Sequence, residues 1–243
     1  MIEVAATSNK LLASLPADDS RLLAPVLAAV CLRQGETLYE HGDPITHLYF
    51  PLGSVVSAEL LMADGATVET ALVGREGVVG VAYVLGESTA RYWNRVLVGG
   101  DALRAQAAAV RELCTMSPPL TRAMMRYYRT LIPHVSQRAV CNGRHTIPQR
   151  LCTWLLMVHD RAATDELPLT QELIASKLGS RRAGVTEAAR QLMREGVLSY
   201  SRGKIHVRDR AALEGFACEC YRVHHADFMY AETSAAGASL GRA

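Results

Sequence analysis

The stretch from Leu169 to Val207 constrains the fold of this 243-residue chain more than any other. Thr170 stands where a helix N-cap belongs, just before Glu172, and Leu173, Ile174 and Leu178 follow at helical spacing until Gly179 stops the run. A second helical stretch opens at Arg181-Arg182 with almost no gap. It turns Val185, Ala188, Ala189, Leu192 and Met193 inward and leaves Arg181, Arg182 and Thr186 at its exposed start. Two short helices joined by a tight glycine turn, the second beginning with basic and hydroxyl side chains, form a helix-turn-helix pattern. After Gly196, residues 197–207 read as a β-hairpin that turns at Ser201-Arg202-Gly203, a wing with Arg202 and Lys204 at its tip. The alternative, two packed helices of an all-α core, leaves the hairpin unexplained.

Composition places this head in a larger chain. Hydrophobic residues make up 49% of the sequence, enough for two modest domains or one large one. No run approaches the ~18 apolar residues of a membrane span, and the N-terminus lacks the basic-then-apolar order of a signal peptide. A cytoplasmic chain with no membrane partner is expected. Charge is unevenly spread: residues 1–110 hold seven basic against twelve acidic side chains, 111–149 six against one, and 150–210 eleven against seven. An acidic front and a basic middle and head suit a sensor joined to a phosphate-contacting module.

From Cys31 to Leu103, short β-type runs alternate with glycine turns. They include Thr37–Tyr39, His47–Phe50, Ser54–Ala58, Thr67–Val73, Gly77–Val81 and Arg95–Val98. Many short strands at regular spacing predict a sandwich, barrel or jelly roll. One or two short helices between Lys10 and Val30 should pack on it. Gly74-Arg75-Glu76-Gly77 lacks the spacing and lysine of a phosphate loop and reads as a turn.

Ser117-Pro118-Pro119 is a good helix start, and a long helix is predicted to about Cys141. Leu120, Met124, Tyr128, Leu131 and Val135 recur every three or four residues, and Arg138 and Asn142 continue the stripe. Such a stripe suits a two-fold helix pair with Asn142 as a register-setting contact; a helix packed on its own roll is the alternative. Pro133 should kink the helix between Arg129 and Ile132. Gly143 and Pro148 mark a hinge, and a further helix, Gln149 to Arg161, should begin the head.

At Leu169-Thr-Gln-Glu, Ile174-Ala, Leu178-Gly-Ser-Arg-Arg, Val185-Thr and Leu192-Met-Arg-Glu-Gly-Val-Leu, the chain resembles the Crp/Fnr family of bacterial transcription regulators. Leu32-Arg-Gln-Gly-Glu-Thr-Leu-Tyr-Glu-His-Gly-Asp is similar to the opening of that family's cyclic-nucleotide-binding β-roll. The resemblance implies an α+β chain: an N-terminal β-roll of jelly-roll type, a long dimerisation helix and a C-terminal winged helix-turn-helix. The division expected is a sensor over 1–112, dimer helix and hinge over 113–145, head over 146–232 and a disordered tail over 233–243. It implies a homodimer on a palindromic operator, with double-stranded DNA, RNA polymerase and an unknown small-molecule effector as further candidate partners.

On the family's pattern, Arg182 matches an arginine that contacts guanine, and Thr170 and Gln171 match positions that hold phosphate. Ser180, Arg181, Thr186 and Arg190 surround Arg182 on the recognition helix, while Arg202 and Lys204 should add phosphate contacts. Ala183 and Glu187 replace an acid and an arginine frequent in the family, so a different half-site is expected. In the sensor, cyclic-nucleotide-binding relatives carry Gly-Glu for the ribose and Arg-Ser or Arg-Thr for the phosphate; here the sites read Gly80-Val81 and Tyr92-Trp93. Without a fixed cation and hydroxyl a buried phosphodiester is strongly disfavoured, so cyclic AMP is not the expected effector. Val81, Tyr83, Tyr92 and Trp93 are candidates for an apolar or aromatic ligand site, or else plain core of the roll.

The remaining motifs carry less. Asp209 should cap a last helix, Arg210 to about Tyr230, holding Cys218, Cys220, His224 and His225. On one helix, positions two apart point about 200° away from each other, so Cys218 and Cys220 should diverge. Six scattered cysteines are therefore read as reduced structural thiols, with no metal and no cofactor. Cys31 alone cannot supply the N-terminal cysteine cluster of the family's iron–sulfur members. No catalytic order of residues stands out, so an enzyme is not expected. The alternative function is a ligand-binding sensor or protein-interaction module whose helix-turn-helix does not read DNA.

Overall fold

The computed structural model describes residues 8–162 and 164–225. Two short helices, α1 (Lys10–Ala13) and α2 (Ala17–Leu23), lead into a roll of seven strands. These are β1 (Ala28–Leu32), β2 (Thr37–Tyr39), β3 (His47–Pro51), β4 (Val55–Leu61), β5 (Thr67–Val73), β6 (Trp93–Val98) and β7 (Gly100–Gln106). All pairs are antiparallel, in one sheet of order β1-β7-β3 and another of order β2-β6-β4-β5. Leu48, Phe50, Val56, Val96 and Leu103 fill the space between the sheets, each contributing about 1.5–3 kcal/mol by leaving water. The expected strand at Gly77–Val81 does not form. That segment pairs only at a single bridge, Tyr49 with Val79, and then coils into a 3-10 turn over Val81–Leu85 beneath the long helix.

Helix α3 (Ala107–Met116) closes the roll, and α4 (Pro118–Arg144) follows as one continuous helix of 27 residues. Ser117 caps α4 by accepting from the Leu120 amide at 3.0 Å. The helix runs three residues past the expected end and carries Pro133 within it. The head comprises α5 (Ile147–Arg161), β8 (Glu166–Leu167), α6 (Gln171–Leu178), α7 (Arg182–Arg194), β9 (Leu198–Ser201), β10 (Lys204–Val207) and α8 (Arg210–Phe216). Its small sheet has the order β8-β10-β9. Thr146 and Gln149 form a capping box that sets the start of α5. No described helix is long and apolar enough to cross a membrane.

The head lies on the roll. Strand β4 is buried at five consecutive positions, Val55 to Glu59, which requires both faces of the sheet to be covered. One face meets the roll interior; against the other, Val55, Leu72, Leu97 and Val98 share a core with Leu151, Trp154, Leu155 and Val158 of α5. Three buried acids of the roll meet cations at this junction: Glu59 meets Lys177, Glu69 meets Arg138 at 3.1 Å, and Glu76 meets Arg161 at 2.8 Å. Burial pushes the Glu69 carboxyl above its ordinary pKa, and Arg138, Trp154, Ser57 and Lys177 oppose that shift.

The stripe predicted on α4 divides between two surroundings. Leu120 and Met124 are 1% and 0% exposed inside the roll's own core, so they are corrected from interface to core. Arg138, read as part of the same stripe, turns inward to Glu69. Tyr128, Val135 and Asn142 are exposed and Leu131 packs partly on the roll. Met125, Ile132 and Val140, at 48%, 60% and 53% exposure, carry the solvent-facing apolar stripe. An α-helix that is apolar on two sides presents two stripes of similar period, and the roll takes the one nearest its open end.

Candidate nucleic-acid interface

Helix α6 opens with the Thr170 hydroxyl accepting from the Leu173 amide at 3.1 Å and closes at Gly179, whose φ of 56° takes the left-handed turn a side chain would disfavour. Helix α7 then buries Val185, Ala188, Ala189 and Leu192 against α5 and α6, which leaves its opposite face in solvent. Arg181, Arg182 and Arg190 stand on that outer face. An α-helix so exposed at its first turns has the size and shape to enter a major groove.

Hydrogen bonds fix the register of the two helices. The Thr186 hydroxyl donates to Oε1 of Gln171 at 2.7 Å, joining α7 to the first turn of α6. Glu172, in the first turn of α6, lies 3.5 Å from the Arg182 guanidinium, both side chains largely exposed. Glu187 lies 4.0 Å from Arg190 and 3.7 Å from Arg194, so the acid on the recognition helix is answered by two arginines. Exposed pairs of this kind are worth about 0–1 kcal/mol and exchange partners readily. One expectation needs correcting: the Ser180 hydroxyl is buried and has no hydrogen-bond partner among the described residues, so it faces the interior and not a groove.

The wing is β9 and β10. Arg202 sits at φ 49° in its turn, and Lys204 reaches Glu166 of β8 at 2.5 Å. Glu166 thereby pairs with the first residue of β10, a contact that a sequence gap of 38 residues conceals.

Between the roll and α4 lies a cleft of about 360 Å³. Tyr39, Ile45, Val73, Val79 and Val81 line it from the roll, and Tyr128, Leu131, Ile132 and Val135 from α4. Of the four expected pocket residues, Val81 and Tyr92 border it. Tyr83 instead lies under the Arg111 guanidinium, 4.6 Å from its ring centre, and Trp93 lies under Arg95 at 5.6 Å. Arg91 is the one cation among the described lining residues, and it holds both carboxylate oxygens of Glu87 at 2.9 and 3.0 Å.

The cysteines also depart from expectation. Helix α8 ends at Phe216, and Ala217 is extended at ψ 155°, so Cys218 precedes a new helical turn and does not share a helix with Cys220. The expected divergence fails for that reason: Cys141, His145, Cys218 and Cys220 converge, with ligand atoms all within 4.8 Å of one another. The predicted helix end near Tyr230 and the tail over 233–243 lie outside the described residues.

A β-roll, a long helix and a winged head with an exposed recognition helix define a regulator that couples a sensor fold to DNA. The cyclic nucleotide-binding domain model matches residues 29–117, and the Crp-like helix-turn-helix domain model matches 149–216. The global nitrogen regulator of Synechocystis sp. is 25% identical over 203 residues, covering 80% of this chain and 89% of that protein. That of Nostoc sp. is 25% identical over 189 residues, covering 74% and 85%. The structure of FixK2 from Bradyrhizobium japonicum matches with a TM-score of 0.67 at 20% identity, over 79% of this chain and 98% of that one. The chain belongs to the Crp/Fnr family of DNA-binding transcription regulators, which are not enzymes.

Proposed function

We infer that the chain binds a palindromic operator as a homodimer and is controlled by something other than cyclic AMP. The observation that carries the first part is the exposed basic face of α7: Arg181, Arg182 and Arg190 project from a helix whose other side is fully packed. In this reading Arg182 contacts guanine, while Arg202 and Lys204, with Thr170 and Gln171 at the start of α6, hold backbone phosphates and set the docking register. The division into a sensor, a dimer helix with hinge, and a head near residues 112 and 145 belongs to the same reading, as does a cytoplasmic location.

Dimerisation is assigned to the apolar stripe of Met125, Tyr128, Ile132, Val135 and Val140 on α4, with Asn142 at its polar end. A second copy covering this stripe places two recognition helices on one side, where a separation of about 34 Å lets them enter successive major grooves. Support for a different effector comes from the cleft. Arg91, the one cation among its described lining residues, pairs with Glu87, and the walls are otherwise mostly aliphatic and aromatic, which favours an uncharged or weakly polar ligand over a cyclic phosphate. RNA polymerase belongs to the same reading as a further candidate partner, whichever the sign of regulation.

The test is selection of bound sequences from random duplexes, with the purified chain alone and again with cyclic AMP. Enrichment of an inverted repeat in both arms supports the reading. Enrichment only with cyclic AMP overturns the effector assignment, and no enrichment in either arm favours a sensor whose head does not read DNA.

A further inference from the structure

Cys141 and His145 are one helical turn apart at the end of α4, and His145 is the residue at which that helix stops. Cys218 lies in the break that follows α8, and Cys220 opens the helical turn beyond it. The fold thus brings two residues from the hinge and two from the far end of the head to one point. The Cys141 and Cys218 sulfurs are 3.6 Å apart, and Cys220 Sγ is 3.5 Å from His145 Nδ1. A tetrahedral zinc with ordinary Zn–S and Zn–N bonds has S···S edges of about 3.8 Å and S···N edges of about 3.6 Å. Those two separations are close to tetrahedral edges, and all four ligand atoms lie within 4.8 Å of one another.

We propose that Cys141, His145, Cys218 and Cys220 form a closed, structural Zn²⁺ site that ties the hinge to the C-terminal end of the DNA-binding head.

The surroundings are those of a metal site. His145 turns Nε2 to the Glu219 carboxylate at 3.2 Å, which fixes the proton on that nitrogen and leaves the Nδ1 lone pair for the ion. The Gln137 amide donates to Cys220 Sγ at 3.0 Å, and the Thr153 hydroxyl lies 3.1 Å from Cys218 Sγ, both suited to stabilising thiolates. Three thiolates and a neutral imidazole around Zn²⁺ leave a net charge of −1. Arg150 lies close enough to Cys141 and Cys218 for their charges to act on it, and its buried Nε has no hydrogen-bond partner among the described residues. Binding forms three Zn–S bonds and one Zn–N bond and releases the three thiol protons to solvent. Thiolates this close fit one ion better than an iron–sulfur cluster, which spreads its thiolates over separate irons. A Cys141–Cys218 disulfide would leave Cys220 and His145 without a role.

The test uses the full-length chain purified under reducing conditions. Elemental analysis is expected to find about one zinc per chain. Replacement by Co²⁺ is expected to give the intense visible bands of a tetrahedral site with thiolate charge transfer in the near ultraviolet. Cys220→Ser should remove about a third of that charge-transfer intensity. Cys31→Ser, at an exposed thiol of β1, should leave zinc content and spectrum unchanged. Glu219→Ala, at a largely exposed side chain, should weaken zinc binding by about 10–100-fold without disturbing the fold. Substoichiometric zinc in the reduced chain, a weak octahedral cobalt spectrum, or iron–sulfur absorption would each overturn the proposal. The wild-type cobalt spectrum decides the question even where a cysteine variant fails to fold.

Discussion

The indole Nε1 of Trp154 donates to Oε1 of Glu69 across 2.7 Å, joining the first helix of the DNA-binding head to strand β5 of the roll. Both residues are buried, and Glu69 also accepts from Ser57 at 2.8 Å and pairs with Arg138 of α4. One carboxylate therefore touches sensor, long helix and head together. The three segments are thereby held in one buried hydrogen-bonded network. Buried ion pairs add little net stability over apolar packing, but removing one partner leaves a charge with no counterpart.

Glu69→Ala should therefore destabilise the chain by about 3–5 kcal/mol, and Trp154→Phe by about 1–3 kcal/mol through the donor it removes. Chemical denaturation measures both. If the two changes are coupled, as one network requires, the double variant will lose less than the sum of the singles.

The junction of the roll with α4 is tight at Gly77. A methyl group added there would lie 2.1 Å from ring atoms of Tyr127, which is 6% exposed. Gly77→Ala should cost about 1–3 kcal/mol by overpacking, and Tyr127→Leu in the same chain should recover part of the loss. Thermal melting of the two variants checks this.

A buried histidine pair makes the chain acid-sensitive. His134 of α4 and His224 near the end of the described head stack edge to face at 4.6 Å. Burial lowers His134 to about 4 and His224 to about 3, below the ordinary 6.5 of the unfolded chain. The unfolded state thus binds more protons between these values, so the stability present above pH 6.5 is lost as pH falls toward 4. The slope is up to about 1.4 kcal/mol per pH unit for each histidine. Melting temperature against pH should fall over that window in the wild type, and less steeply in His134→Gln.

Much of this was legible from residues in order along the chain. Thr170, Gly179 and the apolar positions of α6 and α7 act locally, through capping, a left-handed turn and helical period, so they mark the recognition motif without any tertiary knowledge. What escaped depends on contacts far apart in sequence. Glu59, Glu69 and Glu76 carry no local mark of burial, yet all three are buried at the junction with the head. Met125 and Ile132 lie one residue past Met124 and Leu131, and Val140 falls between Arg138 and Asn142, so only the docked roll decides which face remains open. Cys218 and Cys220 converge because α8 ends at Phe216, just after Gly215, whereas helical spacing alone carries the helix on to about Tyr230. Helix-end positions of this kind depend on what the next segment packs against.

The central claim is that α7 reads bases through Arg182, and one comparison tests it most directly. Binding of wild type and Arg182→Ala is measured by fluorescence anisotropy, at fixed salt, on the selected operator and on a scrambled duplex of equal length. Arg182→Ala is predicted to lose about 1–3 kcal/mol on the operator and to relax preference at one base position in each half-site. It should lose little on the scrambled duplex. An equal loss on both duplexes would make Arg182 a phosphate contact only, and no loss on either would contradict the assignment of α7 as the reading helix.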